Sequence, residues 1–191
     1  MTSALWYFGR GAGVSALVLF TLVVVLGVVV RVGRPLPGLP RFTVAAIHRT
    51  TSLTALGFLA VHIGTLVLDP YAQLRVFDTV VPFFAAYRPF WQGLGTLAFD
   101  LVLLLIASSL LRARIGLRAW RWLHGAAYLC WPIAVAHAVG NGTDGTTTWM
   151  LWIAGGCVGA VVLAVGWRLE VAPEPPVVRA VPPPAGLGGL R

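Results

Sequence analysis

The run Arg121-Trp-Leu-His-Gly-Ala-Ala-Tyr-Leu-Cys-Trp-Pro-Ile-Ala-Val-Ala-His137 is almost wholly apolar after its first residue, apart from His124 and His137. An earlier run has a similar design: His48-Arg-Thr-Thr-Ser-Leu-Thr-Ala-Leu-Gly-Phe-Leu-Ala-Val-His62. All four histidines of the chain lie in these two runs. Each run belongs to a segment long and apolar enough to cross a hydrocarbon core of ~30 Å. Each segment carries one imidazole near an end and one deeper in.

The rest of the chain fits a bilayer. It has 191 residues, of which 58% are hydrophobic and 10% charged, and its mean hydropathy is +0.85. A soluble domain carries roughly 25% charged residues, so the composition is that of a single integral membrane domain. The net charge of +8 comes from fourteen arginines set against six acids, with no lysine. Such a charge could suit nucleic acid, but the arginines stand at segment ends, where membrane topology uses them, so no nucleic-acid partner is expected. Cys130 and Cys157 fall inside apolar segments and read as small packing residues rather than a disulfide or metal pair.

Hydropathy predicts an all-α bundle of about five transmembrane helices, over 11–30, 43–68, 90–111, 120–140 and 148–167. A signal peptide competes for the first, but its apolar core is usually ~7–15 residues with positive charge ahead of it. Here Arg31 and Arg34 follow the run and only Arg10 precedes it, so a retained helix is expected. Residues 31–42 form a basic, proline-broken loop, and Asp69-Pro70 ends the second span. Residues 71–89 mix apolar and charged positions too closely to cross lipid, and read as one or two short amphipathic pieces at the interface. The loop 141–147 has turn composition. Residues 1–170 are thus read as the membrane domain and 171–191, rich in proline and then glycine, as a disordered tail.

Orientation follows from the arginines. Arg31, Arg34, Arg41, Arg49, Arg112, Arg114, Arg118, Arg121, Arg168, Arg179 and Arg191 fall on one side, and Arg10, Arg75 and Arg88 on the other. The positive-inside bias makes the first side cytoplasmic, with the N-terminus outside and the tail inside a multi-pass protein of the cell membrane.

His48 and His124 then lie near the inner surface, and His62 and His137 nearer the outer one. Fourteen residues separate the first pair along its helix, a rise of ~21 Å, and thirteen separate the second, ~20 Å. The depths match. On an ideal helix the rings of span two are offset by ~40°, but those of span four by ~140°. Pro132 lies between the latter two, and a change of winding at Trp131-Pro132 would restore a common facing. A lone imidazole in lipid reads as a hydrogen-bonded core residue or a proton relay. Four in two matched pairs, His48 with His124 and His62 with His137, read as axial ligands of two haem irons.

The pattern His-x13-His on one span and His-x12-His two spans later resembles the ferric reductase-like transmembrane domain. That superfamily includes ferric reductases, NADPH oxidases and the membrane subunit of the periplasmic methionine sulfoxide reductase system. The stretches Arg112-Ala-Arg-Ile-Gly-Leu-Arg-Ala-Trp-Arg-Trp-Leu-His124 and Tyr87-Arg-Pro-Phe-Trp-Gln-Gly-Leu-Gly-Thr96 look like its actinobacterial members. The likeness covers about Phe42 to Trp167. It implies that His48, His62, His124 and His137 ligate two b haems, in a membrane cytochrome that passes electrons across the bilayer. The family usually has six spans with its histidines on the third and fifth, whereas here they fall on the second and fourth. The flavin and nicotinamide domains of the oxidases are not found in this sequence, so a cytoplasmic flavoprotein or a quinol is the expected donor, and the acceptor is extracytoplasmic.

Other residues carry expectations too. Arg49 and Arg121 could pair with haem propionates, with Arg41 and Arg118 nearby, or could serve topology and lipid headgroups. Arg75, Tyr87 and Arg88 could serve the outer haem. Asp100, mid-span, could pass protons or bond a hydroxyl on a neighbouring helix. Trp122, Trp131 and Phe58 could pack beside haems, and Trp91, Trp120 and Trp149 fit the interfacial belt. Two rival functions stay open: a haem-free histidine-lined transporter or proton channel, and a structural subunit of a larger membrane complex.

Overall fold

The computed structural model describes residues 3–33 and 40–171. The proline-rich tail, Arg34, Arg179, Arg191 and most of the proline-broken loop lie outside these residues, as does the side chain of Arg41. Six α-helices and one 3-10 helix account for most of the described chain, with no strand among the described residues: α1 Ser3–Val32, α2 Arg41–Leu68, the 3-10 helix Val76–Thr79, α3 Pro89–Leu110, α4 Arg112–His124, α5 Ala127–Asn141 and α6 Thr148–Glu170.

The helix limits follow from local chemistry. Between Arg10 and Arg31, α1 has no charged residue to keep it out of lipid. Asp69, held extended at φ −90° and ψ 114° by the following proline, ends α2. Pro89 opens α3 at its first turn, where the missing N–H costs nothing. Four helices, α1, α2, α3 and α6, are each long and apolar enough to cross a membrane. The chain is therefore a multi-pass helical membrane protein.

The expected span 120–140 is built differently. It is split between α4 and α5, and α5 alone has 15 residues, short of the ~20 that a crossing needs. At the junction the bonds tighten to the i→i+3 type: Ala126 N–H to Leu123 O, Tyr128 N–H to Gly125 O and Leu129 N–H to Ala126 O, at 3.0, 3.1 and 3.0 Å. Gly125 and Ala126 keep right-handed helical dihedrals, so the chain continues in the same sense. The winding therefore changes over 124–129 and not at Trp131-Pro132, through which α5 runs unbroken. The physical reason is one turn upstream of the proline: Pro132 supplies no N–H to the Tyr128 carbonyl and its ring crowds that group. His124 and His137 thus sit on different helices, and the ideal-helix offset does not apply to them.

The preceding α4 is a basic surface helix with no buried residue, turned at Gly116, whose φ of 79° is open to glycine without penalty. Segment 71–89 holds one short helical piece, the 3-10 helix Val76–Thr79. Apart from Val76–Thr79 it is turns, anchored by Asp78, which is 1% exposed. Its carboxylate takes Arg75 Nε at 2.9 Å, Arg75 Nη2 at 2.7 Å and the Arg75 N–H at 3.0 Å, and its carbonyl accepts the Thr96 hydroxyl of α3 at 2.7 Å. The Arg75 hydrogen bonds outweigh burial and hold the Asp78 carboxyl below the usual carboxylate range.

Antiparallel α1 and α2 pack along their length, α3 packs on α5, and α6 closes against α1. Leu17, Met150 and the free Cys157 form one buried cluster, and Ala98, Val102 and the free Cys130 another.

Candidate functional site

A cavity of about 1480 Å³ runs between the helices, and all four histidines line it. It exceeds the roughly 300–1,000 Å³ of a pocket for one small molecule. Arg31, Arg49, Arg112 and Arg121 line one end; Arg10, Gln92, Asn141 and Asp144 line the other. Between them the wall is apolar, with Phe20, Leu56, Leu59, Val102, Cys130 and Ala134 among its residues.

At the end away from the arginine cluster, the rings of His62 and His137 lie 6.5 Å apart, centroid to centroid, with planes at 76°. A metal–imidazole bond of about 2 Å on each side of one iron puts two coaxial ring centroids roughly 6 Å apart. Two rings sharing that axis can be turned about it by any angle, so the separation fits a bis-imidazole site. Both rings have one nitrogen committed to backbone. His62 Nδ1 bonds the Gly9 carbonyl of α1 at 2.7 Å, and His137 Nδ1 bonds the Trp91 carbonyl of α3 at 2.8 Å. A carbonyl only accepts, so each Nδ1 carries the proton and each Nε2 keeps its lone pair for a ligand.

The arginine-rich end has the other two imidazoles. His48, from α2, faces α1 at Gly27, where an added Cβ would lie 3.5 Å from its Cε1. His124 stacks on Trp120 with centroids 4.9 Å apart, and Arg112 lies over that indole at 4.4 Å. The Nδ1 atoms of His48 and His124 and the Nε1 of Trp120 are buried without a protein partner. Unpaired buried nitrogens at this end fit a site that takes a polar group, and leave the ring tautomers of His48 and His124 unassigned by any protein bond.

Arg49 and Arg121 line the cavity at its arginine-rich end, and Tyr87 and Trp131 line it elsewhere. Others do not. Arg75 is taken by Asp78 and the Phe84 carbonyl, and Arg88 by the Gly140 carbonyl at 2.8 Å, so neither faces the His62–His137 pair. Trp122 is 86% exposed on α4, and Phe58 also lies off the cavity, as do Arg118 and Asp100. Asp100 has no hydrogen-bond partner among the described residues, so the expected hydroxyl bond is not made.

Sequence reading missed what α1 and backbone contribute. Thr21 accepts the Trp131 Nε1–H at 3.0 Å, and Arg10 pairs with Asp144 across the mouth of the cavity. Trp120, read as an interfacial residue, touches His124. The spacing of four between Trp120 and His124, one helical turn, was the available signal.

Fold and site together define a multi-pass helical membrane protein with a histidine-lined internal cavity. Residues 12–135, more than half of the chain, match the ferric reductase-like transmembrane component family, and the chain belongs to that family. The match takes in His48, His62 and His124 and stops two residues short of His137. Members of this family commonly bind haem and point to membrane electron transfer. No curated protein and no solved structure matches the chain.

Proposed function

We propose that this chain is a membrane cytochrome that holds two b-type haems, one between His48 and His124 and one between His62 and His137, and so carries electrons across the bilayer. The observation that carries the reading is the 6.5 Å separation of His62 and His137 across a common cavity, with both Nδ1 atoms already engaged. Iron with both axial positions filled supplies reversible one-electron transfer and has no open position for oxygen or substrate.

The chain's own residues do the rest. Backbone carbonyls orient the His62 and His137 rings, as outer partners orient metal-bound imidazoles generally. Arg49 and Arg121 offer charge-assisted hydrogen bonds to anionic propionates at the arginine-rich end. The apolar wall between the histidine levels excludes water. It also speaks against a transporter or channel: Phe20, Leu56, Leu59, Val102 and Ala134 line the stretch between the two levels, and the Ser52 hydroxyl bonds back to the His48 carbonyl at 2.7 Å.

By the positive-inside bias the arginine-rich end is cytoplasmic, which puts the N-terminus outside. A flavoprotein or a quinol gives electrons at that end, beside His124, Trp120 and Arg112, and an extracytoplasmic acceptor takes them beyond His62 and His137. The test is a reduced-minus-oxidised spectrum of purified protein with a haem-to-protein ratio. The wild type carries two haems per chain, and His62→Ala and His124→Ala each lose one. A haem-supplemented preparation with no Soret band that shifts on reduction overturns the proposal.

A further inference from the structure

Two of the four imidazoles reach a neighbouring helix at the same kind of place, a carbonyl four residues ahead of a glycine. His62 Nδ1 bonds the Gly9 carbonyl at 2.7 Å, and a Cβ added at Gly13 would lie 2.7 Å from that same nitrogen. His137 Nδ1 bonds the Trp91 carbonyl at 2.8 Å, and a Cβ added at Gly95 would lie 2.6 Å from it. Side-chain carbons do not sit that close to a ring nitrogen, so each bond exists only because the residue one turn on is glycine. Carbonyl i of an α-helix already accepts the N–H of residue i+4. Its second lone pair opens beside the Cβ of that residue, the place from which a serine or threonine hydroxyl bonds back to it. Without the Cβ, an imidazole from another helix can take that lone pair.

The other two histidines lack the closed bond. His48 turns to the same kind of place, the Val23 carbonyl four residues ahead of Gly27, but from farther off: a Cβ at Gly27 would lie 3.9 Å from Nδ1, an ordinary contact, and no hydrogen bond of good geometry closes. His124 stacks on Trp120, and its Nδ1 is also without one.

We propose that Gly13 and Gly95 are positioning residues of the His62–His137 site: they open the Gly9 and Trp91 carbonyls to these two imidazoles, fix Nδ1 as the protonated nitrogen and hold both Nε2 atoms toward the axis between the rings. The inference rests on the haem reading above. It sorts the four ligands into two classes, two with a bonded Nδ1–H and two without. A bonded N–H makes the imidazole a more basic ligand, which favours oxidised iron and lowers the potential of the haem it holds.

The experiment compares haem-loaded wild type, Gly13→Ala, Gly95→Ala and Gly64→Ala, the last with nothing within 4 Å of the added carbon. Haem per chain, the two midpoint potentials and redox-difference infrared spectra with 15N-labelled histidine are measured. In Gly13→Ala and Gly95→Ala one potential shifts positive while the other stays, and part of the bonded Nδ1–H signal is lost. Gly64→Ala changes neither. Two haems per chain with potentials in Gly13→Ala and Gly95→Ala equal to those of Gly64→Ala overturn the inference and leave the haem reading standing. Should the first two variants not accumulate, the wild-type infrared spectrum decides: two imidazole classes support the inference, and a single class overturns it. A wild type without haem removes the reading and the inference together.

Discussion

Thr21→Val tests whether α1 is pinned to α5 by one indole. Thr21 is 4% exposed, and its hydroxyl accepts the Trp131 Nε1–H at 3.0 Å while donating to Leu17 O at 2.9 Å. Valine keeps the shape of threonine, so packing is preserved and only the hydrogen bonds go. The bond to Leu17 is a back-bond to a carbonyl its own helix already satisfies, and adds little. The cost is then that of leaving the indole N–H unpaired, about 1–3 kcal/mol in a protein interior. Between membrane helices, however, coupling averages about 0.6 kcal/mol and reaches about 1.7, because the unfolded chain in lipid also finds partners. About 1 kcal/mol is therefore expected, or about 2–4 °C in Tm for a chain of this size. A double-mutant cycle with Trp131→Phe, followed by unfolding of the haem-loaded protein in mixed micelles, isolates the bond. Thr21→Val should cost about 1 kcal/mol in the wild-type background and close to nothing alongside Trp131→Phe. Equal costs in both backgrounds refute the pinning of α1 to α5 through this contact.

Four further outcomes follow from the same structure. Gly93→Ala brings a Cβ to 2.6 Å from the Phe83 backbone nitrogen and should cost about 1–3 kcal/mol by prising segment 71–89 from α3. Gly155→Ala, with open space around it, should be neutral or stabilising by up to about 1 kcal/mol, and thermal unfolding compares the two. The Asp78 carboxyl is held below its unfolded value of about 3.9, so its contribution is fully present above that pH and is lost as pH falls through the folded value. Asp78→Asn should therefore lower Tm at pH 7, with the gap from wild type closing only below about pH 4; a gap that varies between pH 6 and 8 contradicts this. Asp100 lies off the cavity, so Asp100→Asn should leave haem per chain and both midpoint potentials unchanged, and a loss of haem would give it the role in the site that the structure withholds.

What could be read from the sequence, and what could not, divides along the chemistry of the bilayer. Lipid makes each polar side chain conspicuous, which is why the histidines, the arginine bias and five apolar segments stand out in the sequence, four of them single helices long enough to cross. The junction between α4 and α5 does not stand out. Gly125-Ala-Ala127 contains alanines, the best helix formers, and the disturbance comes from a proline one turn downstream. Residue type assigns Trp91 and Trp120 to the interfacial belt, but one lends its carbonyl to His137 and the other stacks on His124. Carbonyls are the hardest case, since every residue has one and the sequence does not say which has a spare lone pair facing a neighbour. In α1, which carries no histidine, the only trace of the Gly9 carbonyl's role is a side chain that is not there, at Gly13. Glycines one helical turn beyond the carbonyls that imidazoles must reach are thus the sequence signal to seek in such bundles, since a methyl group at Gly13 or Gly95 would close the approach that histidines on other helices depend on.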